Sequence, residues 1–176
     1  RSSDLALKET GRYENSTIIL TADHGESFDE RELWFDHGTT AHEEQLHVPL
    51  IIKYPKNMRA GESDQRLIGL KDIAPTLTDL TNMKSLPQVD GVSLLPSNDS
   101  WQGWESLSGE SSHCKKEESL SCIPIGPKGK SFAIRTKEHS ATLSPTENGD
   151  EAFGYSREGD PQELHPISIP EDMNIQ

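Results

Sequence analysis

An Asp-His-Gly-Glu run follows a short apolar segment near the start of the chain. Residues 17–20 read Thr-Ile-Ile-Leu and predict a buried strand, and Asp23 and His24 come where that strand should give way to a loop. In open parallel sheets, ligands bind at the carboxyl ends of strands. A carboxylate beside an imidazole can ligate one divalent cation, while Gly25 relieves crowding at such a site. The run predicts a metal site, although a plain polar turn is the alternative for an isolated Asp-His-Gly.

Three more histidines follow this run. His37 lies in an Asp-His-Gly triplet, and His42 and His47 flank a pair of glutamates. A second apolar segment, residues 48–52, comes directly after them and predicts another buried strand. We therefore expect an active-site loop over residues 23–47, with a short helical turn at 40–46.

Several of these segments resemble the sulfatase family of the alkaline phosphatase superfamily. They occur in that family's order and at about its spacing, which is far more specific than one tripeptide. A weaker resemblance near the carboxyl end covers a closing hairpin and a turn of the form Asp-Pro-x-Glu-Leu. The four matching segments are Thr21–Phe28, Asp36–Thr40, Leu46–Ile52 and Asp72–Leu77, and the two weaker ones are Phe132–Lys137 and Gly159–Leu164.

The resemblance implies an α/β fold, namely part of an alkaline-phosphatase-like mixed sheet flanked by helices. We assign residues 1–95 to the carboxyl-terminal half of the catalytic domain, 96–130 to a long loop or linker, and 131–176 to a small antiparallel β subdomain and tail. Within these regions, Asp72 is expected to cap a helix with Pro75 in its first turn. Residues 131–136, 141–144 and 151–155 are expected to form short antiparallel strands.

Sulfatases carry two further features that do not occur upstream of Asp23 here. One is a paired-Asp metal site, and the other is a Cys/Ser-x-Pro-x-Arg segment whose first residue becomes a formylglycine nucleophile. Because the chain begins with Arg1, we expect it to be a fragment that lacks both. The run from Cys122 to Gly126 imitates the nucleophile segment but ends in Gly instead of Arg, so we interpret it as a chance match.

By the resemblance, Asp23 and His24 supply half of a site for one divalent metal. Calcium is most usual in the family, and manganese, magnesium or zinc are possible. His37 is the expected catalytic and substrate-binding residue, because it falls near where many relatives place a substrate-binding Lys, and a solvated loop histidine is the alternative. His42 is expected to bind substrate, with a structural role as the alternative for both His42 and His47. Glu26 is expected to orient His24 through its second ring nitrogen, with an exposed loop carboxylate as the alternative.

The implied activity is that of a metal-dependent sulfuric ester hydrolase acting on a sulfate ester or a related anionic small molecule or glycan. One alternative is a phosphodiester or phosphonate monoester hydrolase, or a phosphotransferase, of the same superfamily. Another is a remnant that keeps the loop but performs no chemistry. The isolated chain is expected to be inactive, since two side chains cannot complete a metal shell.

Composition excludes several other classes. The chain has 30 acidic and 17 basic residues and a net charge of −13, which disfavours binding to nucleic acid. Its apolar runs are too short to span a membrane. Hydrophobic residues make up only 31% of the chain, which predicts a thin core. Cys114 and Cys122 could form a small disulfide loop or remain two thiols.

Overall fold

The computed structural model describes residues 3–32, 34–38, 40–83, 88–95, 100–111, 114–116, 122–124, 130–146, 149–170 and 173. Within these ranges the chain forms three α-helices, four 3₁₀ helices of three residues each, and ten strands. The α-helices are α1 (Ser3–Glu9), α2 (Glu43–Leu46) and α3 (Ile73–Leu80). The strands are β1 (Ile18–Thr21), β2 (Ser27–Phe28), β3 (Trp34–Asp36), β4 (Leu50–Lys53), β5 (Leu107–Ser111), β6 (Cys114–Lys116), β7 (Cys122–Pro124), β8 (Ser131–Arg135), β9 (His139–Thr146) and β10 (Gly149–Ser156).

The two apolar segments predicted as strands form β1 and β4. They pair with each other in antiparallel register, with Leu20 opposite Ile51. The side chains of this pair are 55% and 62% exposed, so the expectation of fully buried strands is wrong at these positions. Directly opposed residues point to the same face of a sheet, so Leu20 and Ile51 are exposed together on one face of this pair.

Four antiparallel strands in the order β10-β9-β8-β5 form the larger sheet. Alternate residues of β8 are buried, as expected for strands with one face on a core. The three strands predicted after residue 131 are confirmed as β8, β9 and β10. The segment 96–130 was expected to be loop or linker, but Leu107–Ser111 forms β5 and pairs along its whole length with β8. The sheet therefore begins before residue 131.

Asp72 lies at the start of α3, where the sequence predicts a helix cap. Its side chain makes no capping bond to that helix, so the predicted cap is wrong. The fully buried carboxylate instead accepts hydrogen bonds from the Gly69 and Val92 backbone N–H groups and from Trp104 Nε1, at 2.9, 2.8 and 2.9 Å. Asp72 thus joins three separate segments, because one ionised carboxylate has several acceptor positions.

The cysteine-containing strands β6 and β7 pair in antiparallel register. Cys114 lies opposite Pro124, and Cys122 lies opposite Lys116. The two cysteines are therefore on neighbouring strands but not directly opposed, and their pairing stays a prediction. Gly126, the last residue of the chance nucleophile match, lies outside the described residues. Among the described helices, none has the length and apolar character that crossing a membrane requires.

Candidate functional site

The turn that follows β1 brings Asp23 and His24 side by side. Their facing atoms, Asp23 Oδ2 and His24 Nε2, are 3.8 Å apart, and the Asp23 side chain is 89% exposed. The other ring nitrogen, His24 Nδ1, is 2.8 Å from the Gly25 carbonyl oxygen. A carbonyl only accepts, so Nδ1 carries the proton of this bond. In neutral His24, the lone pair is then on Nε2, the nitrogen that faces Asp23.

His37 packs directly against this turn. Its ring stacks on His24 with centroids 4.4 Å apart and planes 23° from parallel. His37 Nδ1 lies 3.2 Å from Glu26 Oε1. The expectation that Glu26 orients His24 is therefore wrong: the Gly25 carbonyl takes that role, and Glu26 contacts His37. We call Asp23, His24, Glu26 and His37 the loop cluster.

Gly25 allows the turn to lie directly against the backbone of α2. A Cβ added to Gly25 would be 2.0 Å from the carbonyl oxygen of Glu44, a distance that no side chain tolerates. The Gly25 N–H also donates to the carbonyl of Gln45 at 2.8 Å. Gly25 thus relieves crowding against the backbone of α2, and its predicted role beside a metal and a substrate stays a prediction.

His42, predicted to bind substrate, is 6% exposed at the start of α2. Its Nδ1 is 2.8 Å from Glu163 Oε2, and its ring packs edge-on against Tyr155 with centroids 5.7 Å apart. These contacts favour the structural alternative for this residue. Substrate binding by His42 stays a prediction.

Glu163, from the Asp-Pro-x-Glu-Leu turn, is the centre of a buried ionic network. Its side chain is 2% exposed and accepts hydrogen bonds from His42, from Ser140 Oγ at 2.5 Å and from Arg135 Nη2 at 3.2 Å. Burial alone would raise the pKa of Glu163, but the hydrogen bond with His42 and the charge of Arg135 outweigh it, and the pKa is lowered. A carboxylate that is desolvated but fully paired stays ionised in this way.

Arg135 extends the network to α2. Its Nε donates to Glu43 Oε2 at 2.9 Å, while Glu43 Oε1 is 2.8 Å from His47 Nδ1. Burial would raise the pKa of Glu43, but the hydrogen bonds from His47 and Arg135 lower it to about 2. The hydrogen bond with Glu43 also raises the pKa of His47. His47 therefore has a charge partner of its own, which favours the structural alternative given for it above.

The sequence did not single out Arg135, Glu163 or Gln45 as parts of the site. Glu163 and Arg135 lie in the two weakly matching segments, so the resemblance marked their positions without a role. Gln45 had one available signal: it is an amide in a helical turn and lies between the charged Glu44 and the apolar Leu46. An amide in such a place is a candidate for buried hydrogen bonding.

Asp23 and His24 fit two positions of a divalent-metal shell by donor type and by the orientation of His24. A metal-ligating His commonly donates its second N–H to a backbone carbonyl, as Nδ1 of His24 does to Gly25. Within the described ranges, no group of three or more His, Cys, Asp or Glu side chains is arranged to hold a metal ion. A complete shell would therefore need donors in addition to this pair.

Comparison with known proteins gives consistent matches. Residues 5–83 match the family model described as Sulfatase. An N-acetylglucosamine-6-O-sulfatase of Bacteroides thetaiotaomicron is 34% identical over 90 residues, which are 51% of this chain and 16% of that relative. The solved structure of a 2-O GAG sulfatase has a TM-score of 0.72 at 21% identity, and the alignment covers 94% of this chain and 34% of that one.

Two further structures share the fold. A protein solved with its substrate D-glucosamine-2-N,6-O-disulfate gives a TM-score of 0.63 at 24% identity, with 92% of this chain and 31% of that one covered. A phosphonate monoester hydrolase from Silicibacter pomeroyi gives 0.60 at 24% identity, with 89% and 31% covered. The resemblance to sulfatases and the alkaline-phosphatase-like α/β fold are thus confirmed. The chain spans about a sixth of the curated relative and about a third of each solved neighbour.

Proposed function

We propose that this chain, whose residues 5–83 match the sulfatase family model, forms part of the active site of a metal-dependent sulfuric ester hydrolase. The observation on which the proposal rests is the loop cluster. His24 presents Nε2 beside Asp23 Oδ2 at 3.8 Å, and His37 is stacked against the same ring. Two metal donors on one turn and a second imidazole on another therefore meet.

Asp23 and His24 would hold a divalent cation, with calcium the first choice and manganese, magnesium or zinc the others. When bound, such an ion offsets negative charge on the reacting sulfate. His37 would act on the substrate itself. Glu26 Oε1 would accept a hydrogen bond from His37 Nδ1 and orient the ring. The imidazole would then contact a sulfate oxygen or protonate the leaving oxygen.

The nucleophile and the remaining metal ligands would come from other segments of a longer protein. The short coverage of relatives supports this proposal, because the matched residues correspond to only 16% of that sulfatase. We propose a sulfate ester on a small sugar as the substrate class. The names of two relatives support it, one acting on an N-acetylglucosamine 6-O-sulfate group and one bound to a disulfated glucosamine.

A second candidate is phosphonate monoester hydrolysis, which the neighbour of that name supports. The two reactions would place similar demands on Asp23, His24 and His37, since in both a nucleophile attacks a sulfur or phosphorus that carries negatively charged oxygens. Comparing turnover of an aryl sulfate with that of an aryl phosphonate monoester by the complete protein separates them. Higher kcat/KM for the sulfate supports the first candidate, and the reverse order supports the second.

Asp23→Ala tests the metal role in the complete protein that carries this chain. We expect loss of bound divalent metal and of aryl sulfate hydrolysis, with the fold largely kept, because an exposed carboxylate leaves no core cavity when removed. Asp79→Ala, an exposed position on α3, is the matched control and should leave both quantities unchanged. Near-normal turnover with metal bound in Asp23→Ala would exclude Asp23 as a ligand. Absence of turnover and of metal in the unmodified protein would favour the remnant.

A further inference from the structure

The residues of the loop cluster lie on two turns that are separate in the sequence. Asp23 and His24 follow β1, whereas His37 follows β3. Both turns approach α2, a helix of only four residues. The residue of α2 that faces them is Gln45, which is 3% exposed.

Gln45 binds both turns with its backbone and its side chain. Its carbonyl accepts the Gly25 N–H at 2.8 Å, next to His24. Its side-chain Oε1 accepts the Gly38 N–H at 2.9 Å, next to His37. Its Nε2 donates to the Oγ of Ser27 at 2.9 Å, and Ser27 is fully buried. One residue therefore holds the backbone on either side of the stacked pair.

The type of residue matters as well as its place. The Gly38 N–H needs a hydrogen-bond acceptor, and the Ser27 hydroxyl oxygen accepts a hydrogen bond from a donor. Among uncharged side chains, only an amide of this length carries an acceptor and a donor at the same end. An apolar replacement would leave buried polar groups without partners, which costs far more than the bonds add. The helix itself is fixed from outside, because Glu43 and His42 are tied to Arg135 and Glu163.

We infer that Gln45 is a positioning residue that sets the separation of His24 and His37. This inference rests on the proposed function of those two residues, since their spacing matters only if both act at one site. The hydrogen bonds of Gln45 go to the Gly25 and Gly38 backbones and to Ser27, so it acts on the rings through those backbones. Its role is distinct from general support of the fold, because its side-chain bonds go to the turns of the loop cluster.

NMR of this chain tests the inference without any need for activity. Gln45→Met keeps the length of the side chain but removes the acceptor and the donor. The cross-peak between the ring protons of His24 and His37 should weaken at least about threefold, and the Gly38 amide should exchange about five- to tenfold faster, as the loss of one hydrogen bond allows. Gln45→Glu keeps an acceptor for the Gly38 N–H, and the Ser27 hydroxyl can reverse to donate, so it should restore both signals.

Thr76→Val is the matched control for a merely structural effect. Thr76 is fully buried, and its hydroxyl bonds to the Asp72 carbonyl and to the Leu94 N–H, away from the two turns. It should lower the melting temperature while leaving the ring cross-peak intact. If Gln45→Met does not fold, Ser27→Ala removes only the Nε2 partner and should weaken the same cross-peak to a smaller extent. A full-strength cross-peak in Gln45→Met, or in Ser27→Ala where that is the folded variant, would overturn the inference whatever Asp23→Ala does to metal and turnover.

Discussion

Replacing Glu43 by Gln removes the charge that α2 presents to the carboxyl-terminal sheet. The Glu43 side chain is 13% exposed and lies between Arg135 Nε at 2.9 Å and His47 Nδ1 at 2.8 Å. Arg157 Nη2 is a third cation, 3.7 Å away. Gln keeps the size of the side chain and part of its hydrogen bonding, so the change isolates the charge.

The pKa of Glu43 gives the size of the effect. The folded protein lowers that pKa from 4.5 to about 2. At 1.36 kcal/mol for each pH unit, the ionised carboxylate contributes about 3 kcal/mol to the free energy of unfolding at pH 7. A lowered pKa gives stability that is present above 4.5 and lost as the pH falls toward 2. With the same two pKa values, the contribution of Glu43 to the free energy of unfolding falls to about 1.4 kcal/mol at pH 3.

Urea unfolding at pH 7 and pH 3 measures the difference in the free energy of unfolding between the wild type and Glu43→Gln. We expect it to shrink by about half or more between the two pH values, since Glu43 is the group that distinguishes the proteins. Glu62→Gln is the control, because Glu62 is 57% exposed in its pair with Arg59 and should contribute less than about 1 kcal/mol at either pH. An equal difference for Glu43→Gln at both pH values would refute the electrostatic explanation and point to packing.

Three further predictions concern neighbouring residues. In the complete enzyme, His37→Ala should lower kcat/KM by about 10²–10⁴-fold, with a smaller loss for substrates with good leaving groups; an equal loss for all of them would indicate oxyanion binding. Gly25→Ala should destabilise the fold by about 1–3 kcal/mol or more in thermal unfolding, whereas Gly69→Ala, whose added Cβ would have no contact under 3.6 Å, should be tolerated. His47→Gln should reduce stability below pH 6.5, and the reduction should fade as the pH rises through the raised pKa of His47, as unfolding at pH 6 and pH 9 would reveal.

Local patterns allowed much of the framework to be predicted from sequence. Alternating and β-branched residues located β1, β4 and the strands after residue 131, because side-chain periodicity is a property of the strand itself. The position of Asp23 and His24 after β1 followed from the same logic. These features depend on residues within one or two turns of each other.

The mistaken predictions depended on distant partners. Asp72 has the sequence position of a helix cap, but Trp104 and the Val92 N–H compete for its carboxylate from 20 or more residues away. Glu26 lies only two residues after His24, yet its side chain contacts His37, which is eleven residues further along the chain. β5 pairs with β8, which lies beyond segment 112–130. The composition of β5 alone therefore did not indicate that it has a partner strand.

The network around Glu163 has a consequence for the order in which the chain folds. His42 and Glu43 reach partners 121 and 92 residues further along, and Arg31 donates to the Glu163 carbonyl across 132 residues. Contacts of such long sequence separation form late, because closing a long loop costs entropy before any bond is gained. We therefore expect α2 and the loop cluster to become ordered only once β8, β9 and the turn at Glu163 are in place. A shortened chain that stops after the matched region, residues 5–83, would keep Asp23, His24 and His37 but lose the residues that hold them together.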